Sequence, residues 1–380
     1  MVVLVTEPIV TPEKRIGAGR PSAPDREQRV LDIIETARSK RPRFKDSAVN
    51  MSHGAGGKAT QTLIEGLYVP AFDSDALGEL GDSGVVQIAG SSVAMTTDTF
   101  VVKPLQFPGG SIGELAVCGT VNDLAAAGAK AQALSLAFVL EEGLDAGVLR
   151  GEVDAIARTA ADAGVSVVTG DTKVVERGLA DGMYVCTTGI GELDPRSSMG
   201  TGTLQAGDRV LVSKTIGEHG TAIMLARGEL GIESDVVSDT RSLWPVADAL
   251  LDAVGSGLRC MRDATRGGVA SALNELARAS AVGVSVREAD IPVTPEVNGA
   301  SELLGIDPMY VANEGVMVAF VASDAADAAL AALRSVPGCE AAAEIAEINS
   351  ETPGMVLVET AFGGRRVMDL LAGDPLPRIC

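Results

Sequence analysis

Apolar positions along the chain switch between a period of two and a helical period, and the switches lay out its elements. From Asn50 to about Leu193, short runs rich in β-branched residues and bounded by Gly or Asp predict strands. They are VVQIAG, SVAMTTDTFVV, ALSLAFVL, VSVVTGDTKVV and MYVCTTGIGEL. Two stretches with Ala, Leu and Val at helical spacing, Ser111 to Ala127 and Asp145 to Ala163, predict helices between them. The turn-rich DPRSSMGTGTLQAGD predicts a domain boundary. Beyond it DRVLVSKTIG, VSVRE, YVANEGVMVAFVAS and two closing runs read as strands. Thr221 to Arg227, Leu243 to Val254, Val269 to Ala279 and Asp324 to Ser335 read as helices. This mixed order, with no regular strand–helix–strand period, predicts two α+β domains of sandwich-like layering rather than one doubly wound sheet. Their expected spans are 49–200 and 201–372, followed by a mobile tail at 373–380.

Residues 1–48 differ in kind. They carry ten Lys/Arg against seven Asp/Glu and five prolines, and apart from a short helix around Gln28 to Ser39 they read as a disordered basic extension. The whole chain runs the other way, with a net charge of −20. That balance argues against a nucleic-acid surface, which needs clustered Lys and Arg. Aromatic residues make up 3%, too few for base-stacking platforms. The longest clean apolar run, Val316 to Ala322, falls well short of a membrane span, and the opening MVVLVTEP has no basic region of a signal peptide. The expectation is a cytoplasmic protein.

Five cysteines at 118, 186, 260, 339 and 380, with no CxxC, form neither a disulfide framework nor a zinc cluster. The two histidines, His53 and His219, stand far apart and make no ligand pair. Four of the cysteines lie in apolar stretches as small buried hydrophobes. Cys380 stands apart at the end of GDPLPRIC, where Pro375 and Pro377 favour an extended arm. Eight residues at about 3.3 Å each reach roughly 26 Å.

No P-loop, dinucleotide fingerprint or nucleophile elbow is present. What remains is acids on Gly-rich loops. HGAGGK offers free backbone N–H groups and Lys58 to phosphate oxygens. TTDTF places Asp98 near a strand end. GTVNDLAAAG sets Asn122 and Asp123 among small residues, where polar groups need partners. TGDTK supplies Asp171, Thr172 and Lys173, and DATRGG supplies Asp263 and Arg266 ahead of a helix. Singly each reads as a turn or cap. Together Asp82, Asp98, Asp123, Asp171 and Asp263 form a hard oxygen donor set suited to Mg²⁺ bridging nucleotide phosphates.

HGAGGK, TTDTF, FPGG, GTVNDLAAAGA, TGDTKVV, GEHG, RDATRGGV, ANEG and PRIC, in that order from Met51 to Cys380, resemble the HypE family of hydrogenase maturation factors. The wider superfamily holds aminoimidazole ribonucleotide synthetase, selenophosphate synthetase and thiamine monophosphate kinase. The absence of a Cys from HGAGGK argues against selenophosphate synthetase. The resemblance implies the two-domain synthetase fold and a homodimer joined through N-terminal sheets, with ATP near that interface. It implies that the carbamoyltransferase HypF loads Cys380, and that ATP-dependent dehydration turns the S-carboxamide into a thiocyanate. The cyanide then passes to iron on a HypC–HypD complex. Glu314 in ANEG and Lys173 in TGDTK match the family positions that handle the proton, beside Cys380 as the carrier. Two other classes stay open at this point: a carrier that merely holds the modified cysteine, and an ATP enzyme of the same fold acting on a free small molecule.

Overall fold

The computed structural model describes residues 43–228, 234–373 and 378–380. Most of the basic extension, with its expected helix at Gln28 to Ser39, lies outside them, as does part of the tail. Residues from Arg41 onward form one compact unit.

Alternating burial along Met183–Leu193 puts every second residue against a helical layer and leaves the others facing outward. That strand, β5, lies in a five-stranded sheet with β1 (Gly84–Ile88), β2 (Ser91–Phe100), β3 (Ala129–Glu141) and β4 (Ser166–Val175). The spatial order is β1-β2-β5-β3-β4, and only β3 and β4 pair in parallel. Helices α1 (Ile112–Ala126) and α2 (Ala146–Asp162) bridge the strands in sequence, and residues of both join the core with one face of the sheet. Small residues let α1 lie close: a Cβ on Gly119 would stand 2.8 Å from the Phe100 ring. Among the described residues no layer covers the other face of the sheet, and Val86, Ile88, Met95 and Ile190 are exposed.

The second sheet has seven strands. β6 (Arg209–Val212), β7 (Leu258–Asp263), β8 (Gly283–Arg287), β9 (Met317–Val321), β10 (Ala343–Asn349), β11 (Val356–Glu359) and β12 (Arg365–Met368) run in the order β12-β11-β8-β10-β6-β9-β7. Val210, Val212, Val318 and Phe320 join one core, with residues of α5 (Gly268–Ala279). Their neighbours Leu211, Met317, Ala319 and Val321 join another, with residues of α4 (Trp244–Val254) and α7 (Ala326–Ser335). Coverage on both faces explains the unbroken apolar run in β9. Helices α3 (Glu218–Ala226) and α6 (Pro295–Leu304) complete the unit.

Three expectations need correction. YVANEGVMVAFVAS is a strand only over Met317–Val321; its ANEG part is a loop whose backbone is held by side chains rather than by a sheet. Three strands close the chain instead of two, and α3 begins three residues earlier than its apolar pattern suggested.

Candidate active site

Strand β2 presents Asp98 on the same face as Thr96, toward α1. There Thr120 Oγ1 donates to Asp98 Oδ2 at 2.8 Å and Thr96 Oγ1 donates to Asp123 Oδ2 at 2.6 Å. β7 ends on Asp263, and the loop before β1 brings in Asp82. Burial pushes the carboxyls of Asp82, Asp98, Asp123 and Asp263 above their ordinary range. The Arg262 guanidinium opposes that rise at Asp82, whereas the neighbouring acids reinforce it strongly at Asp123 and Asp263. This is the like-charge crowding that the clustered motifs implied.

Glu314 joins the same field. It is 3% exposed, and burial followed by the charges of Asp263 and Asp239 pushes its carboxyl far up. Its loop is fixed from outside: Asp239 Oδ1 accepts from the N–H of Glu314 at 3.0 Å and Asp239 Oδ2 from that of Gly315 at 3.1 Å. Cys380 is half-buried beside these groups. Burial pushes its thiol up to about 12, with Arg266 opposing and Glu314, Asp98 and Asp263 adding to the rise. Arg378, two residues away, pairs with Asp181 instead.

Several of the expected site residues have partners within the protein. Asn122 spends its side chain on the protein, donating to the carbonyls of Arg241 and Glu314 and accepting from the N–H of Leu243, so it has no free donor for a nucleotide. Asp82 is engaged by Arg262, which also reaches Leu80 O and Glu275. The HGAGGK loop is less open than its glycines suggest. Lys58 N–H donates to Leu371 O, Gly56 N–H to Thr60 Oγ1, and the Lys58 ammonium pairs with Asp369 at 2.7 Å. Those glycines serve close packing: Cβ atoms on Gly56 and Gly57 would lie 2.6 and 2.5 Å from the carbonyls of Arg266 and Leu371. Asp171, Thr172 and Lys173 sit on the exposed edge strand β4, where Lys173 pairs with Asp171; neither is among the main charges acting on Glu314.

Among the described residues no three His, Cys, Asp or Glu side chains converge as a ready metal cage. The residues nonetheless fit a bound cation and phosphates. Asp263 Oδ2 and Glu314 Oε2 are buried with no hydrogen-bond partner among the described residues, a costly state that a ligand's charge or protons would relieve. Sequence reasoning passed over Asp239, Arg262 and His219 as site-builders. GEHG carried a signal for His219; Asp239 carried none.

This fold and site define the AIR synthase related proteins, whose N-terminal domain matches residues 80–193 and whose C-terminal domain matches 205–358. A carbamoyl dehydratase HypE of Bradyrhizobium diazoefficiens is 45% identical over 353 residues, covering 93% of this chain and 99% of that protein. A match of that length cannot fit between Met51 and Cys380, so the similarity reaches into the basic extension that the motif pattern had left out. A solved HypE–HypF complex is similar at 40% identity and TM-score 0.77, covering 81% of this chain and 99% of its counterpart. HypE in complex with ATP is similar at 42% identity and TM-score 0.73, covering 86% and 98%. The chain belongs to the HypE family.

Proposed function

We propose that the chain is an ATP-dependent carbamoyl dehydratase whose substrate is its own Cys380. The observation that carries this reading is the seat of Cys380, docked with its backbone carbonyl accepting from Val101 N–H at 3.0 Å, within the charge field of Arg266, Glu314, Asp98 and Asp263. A pure carrier needs no buried acids around its thiol.

The reaction removes water from R–S–C(=O)NH₂ to give R–S–C≡N. The amide oxygen attacks the γ-phosphorus of ATP, ADP leaves, and phosphate then departs with that oxygen as the nitrogen loses two protons. Mg²⁺, held by acids among Asp98, Asp123, Asp263, Asp171 and Asp82, would neutralise phosphate charge. Glu314 is the proton acceptor: its buried carboxylate has a free Oε2, and burial raises its basicity. Arg266 offsets the negative charge gathered around the sulfur.

Asp171, Thr172 and Lys173 reach a site in this scheme only from a second copy. The uncovered face of the five-stranded sheet supports a homodimer, with β4 of each copy completing the other's site. We place the ATP-binding and dimerisation domain at 49–200, the second α/β domain at 201–372 and the carrier tail at 373–380. HypF is the proposed carbamoyl donor and a HypC–HypD complex the cyanide acceptor. No helix among the described residues is long and apolar enough to cross a membrane, in keeping with work in the cytoplasm.

The test is the mass of the peptide carrying Cys380 after incubation with HypF, a carbamoyl donor and ATP. Appearance of the carboxamide followed by loss of one water, only with ATP, is expected. A carboxamide that persists with ATP would overturn the reading.

A further inference from the structure

The segment Arg378–Cys380 is gripped through each of its backbone carbonyls. Val101 N–H donates to Cys380 O at 3.0 Å and Lys103 N–H to Arg378 O at 3.2 Å, so the segment runs antiparallel beside residues 101–103. Arg227 Nη2 also donates to Arg378 O, at 2.8 Å. The carbonyl between them, that of Ile379, accepts from His219 Nε2 at 3.0 Å. This fixes the imidazole tautomer: Nε2 carries the proton, and Nδ1 accepts from Ser238 Oγ at 2.8 Å.

The side chains are received as well. Ile379 is 4% exposed and belongs to the N-terminal core with Ile223 and Val311. The Arg378 guanidinium meets Asp181 at 2.5 Å, donates through Nε to Val101 O at 3.1 Å, and lies 5.9 Å from the centre of the Tyr184 ring. Arg378 holds a backbone φ of +56°, a left-handed conformation that persists only where surrounding contacts over-determine it.

We propose that this groove reads the sequence of the segment entering it, with Asp181 and His219 as positioning residues that select a basic–aliphatic–cysteine end and fix the register of Cys380. The inference rests on the reading that Cys380 carries the reacting group. A slip of one residue would move the sulfur about 3.3 Å and break the bonds that Val101, Lys103 and His219 make to the three carbonyls. It would also set Arg378 in an apolar slot. Register is therefore what places the carboxamide against Glu314.

The test is the rate at which iodoacetamide alkylates Cys380 in the full chain, read from the mass of the peptide carrying it, without nucleotide or carbamoyl donor. Docking shields the thiol and disfavours its thiolate, so the wild type should react slowly. Asp181→Asn, Arg378→Ala and His219→Phe should each react about tenfold faster, the effect of losing one charge-assisted or buried hydrogen bond. Because Asp181 and Arg378 lie near the surface, their variants test the groove even where His219→Phe folds poorly. The exchanged pair Asp181→Arg with Arg378→Asp should return the rate toward wild type. Equal rates in all variants, or no rescue by the exchanged pair, would overturn the groove. Normal thiocyanate formation alongside equal alkylation rates would sink the groove and leave the dehydratase reading intact. The reverse result, altered rates with no thiocyanate from the wild type, would sink that reading instead.

Discussion

Asn122, on the N-terminal helix α1, donates its side-chain amide to the backbone carbonyl of Glu314 at 3.2 Å, bridging positions 192 residues apart in the chain. The same side chain bonds Arg241 O at 2.9 Å and Leu243 N–H at 2.7 Å. The VND and ANEG motifs are therefore one object: a helix of the first sheet's layer holds the loop that aims the proposed proton acceptor.

Replacing Asn122 by Ala strands the N–H of Leu243 and the carbonyl of Arg241, and leaves the Glu314 carbonyl only its longer bond from Arg241 N–H. Stability should fall by about 2–4 kcal/mol, the cost of leaving buried groups unpaired. Urea denaturation checks this. Asn122→Asp should be similarly harmful, since it puts another acid beside Glu314 and removes the donor. A variant as stable as wild type would show that the loop is held without this bridge.

Asp98 and Asp123 are expected to matter oppositely for stability and for nucleotide. Both are buried acids crowded by neighbours, so Asp98→Asn and Asp123→Asn should raise the urea midpoint, by about 1 kcal/mol of stability. Calorimetry should find that the same variants bind Mg-ATP at least tenfold more weakly, and that chelating Mg²⁺ abolishes binding to the wild type. Unchanged affinity in both variants would remove these acids from the nucleotide site.

The legible part of the site was its list of loops, because Gly-rich turns carrying acids stand out against apolar strands. What each acid does was not legible. Asp82 and Asp263 both lie close to Arg262, yet only Asp82 pairs with it, and that choice depends on three elements meeting. Asn122 looked like a ligand because a polar residue among Ala and Gly needs a partner; the partner is backbone far along the chain. ANEG was absorbed into a strand because the apolar run after it is continuous, although Asp239 supplies the hydrogen bonds a strand neighbour would have made. Fold class was easier, since strand alternation and helix spacing are local signals.

Met95 and Ile190 pair across β2 and β5 on the uncovered face, with exposures of 49% and 41%. If that face joins two copies, the wild type should sediment at twice its 38.8 kDa chain mass. Met95→Asp with Ile190→Asp should yield monomer, because two charges per copy would be buried unpaired. The monomer should also lose dehydration activity, since Asp171 and Lys173 would no longer reach a site. A wild-type protein found only as monomer at micromolar concentration would contradict the arrangement.

Cys380→Ala should abolish thiocyanate formation while leaving Mg-ATP affinity within twofold, because Ile379 and the backbone contacts that seat the segment remain. Glu314→Gln should keep the carboxamide but slow its dehydration by about 10²-fold or more, the typical weight of a positioned base. Successive mass spectra of the peptide carrying Cys380 separate the two effects. A normal dehydration rate in Glu314→Gln would remove that residue from the mechanism.

His219 gives the clearest dependence on pH. It is fully buried, with its edge toward the Phe107 ring, and burial lowers its imidazole to about 4, against a smaller upward pull from its bond to Ile379 O. In the unfolded chain it returns to about 6.5. The unfolded state therefore binds the extra proton between those values, so the folded state loses stability as pH falls from about 6.5 toward 4. From pH 7 to pH 5 the loss from this one group is about 2 kcal/mol. Asp239, raised to about 6 by burial, pulls in the opposite sense, gaining stability as pH falls. It is present in both wild type and His219→Gln, so it cancels in their difference. Gln keeps an N–H donor for Ile379 O but has no proton to gain. Urea denaturation of both proteins at pH 7 and pH 5 should find the stability gap between them moving by about 2 kcal/mol in favour of the variant at the lower pH. A gap that does not change with pH would mean that His219 is not held neutral in the fold, and the tautomer that bonds Ile379 would lose its support.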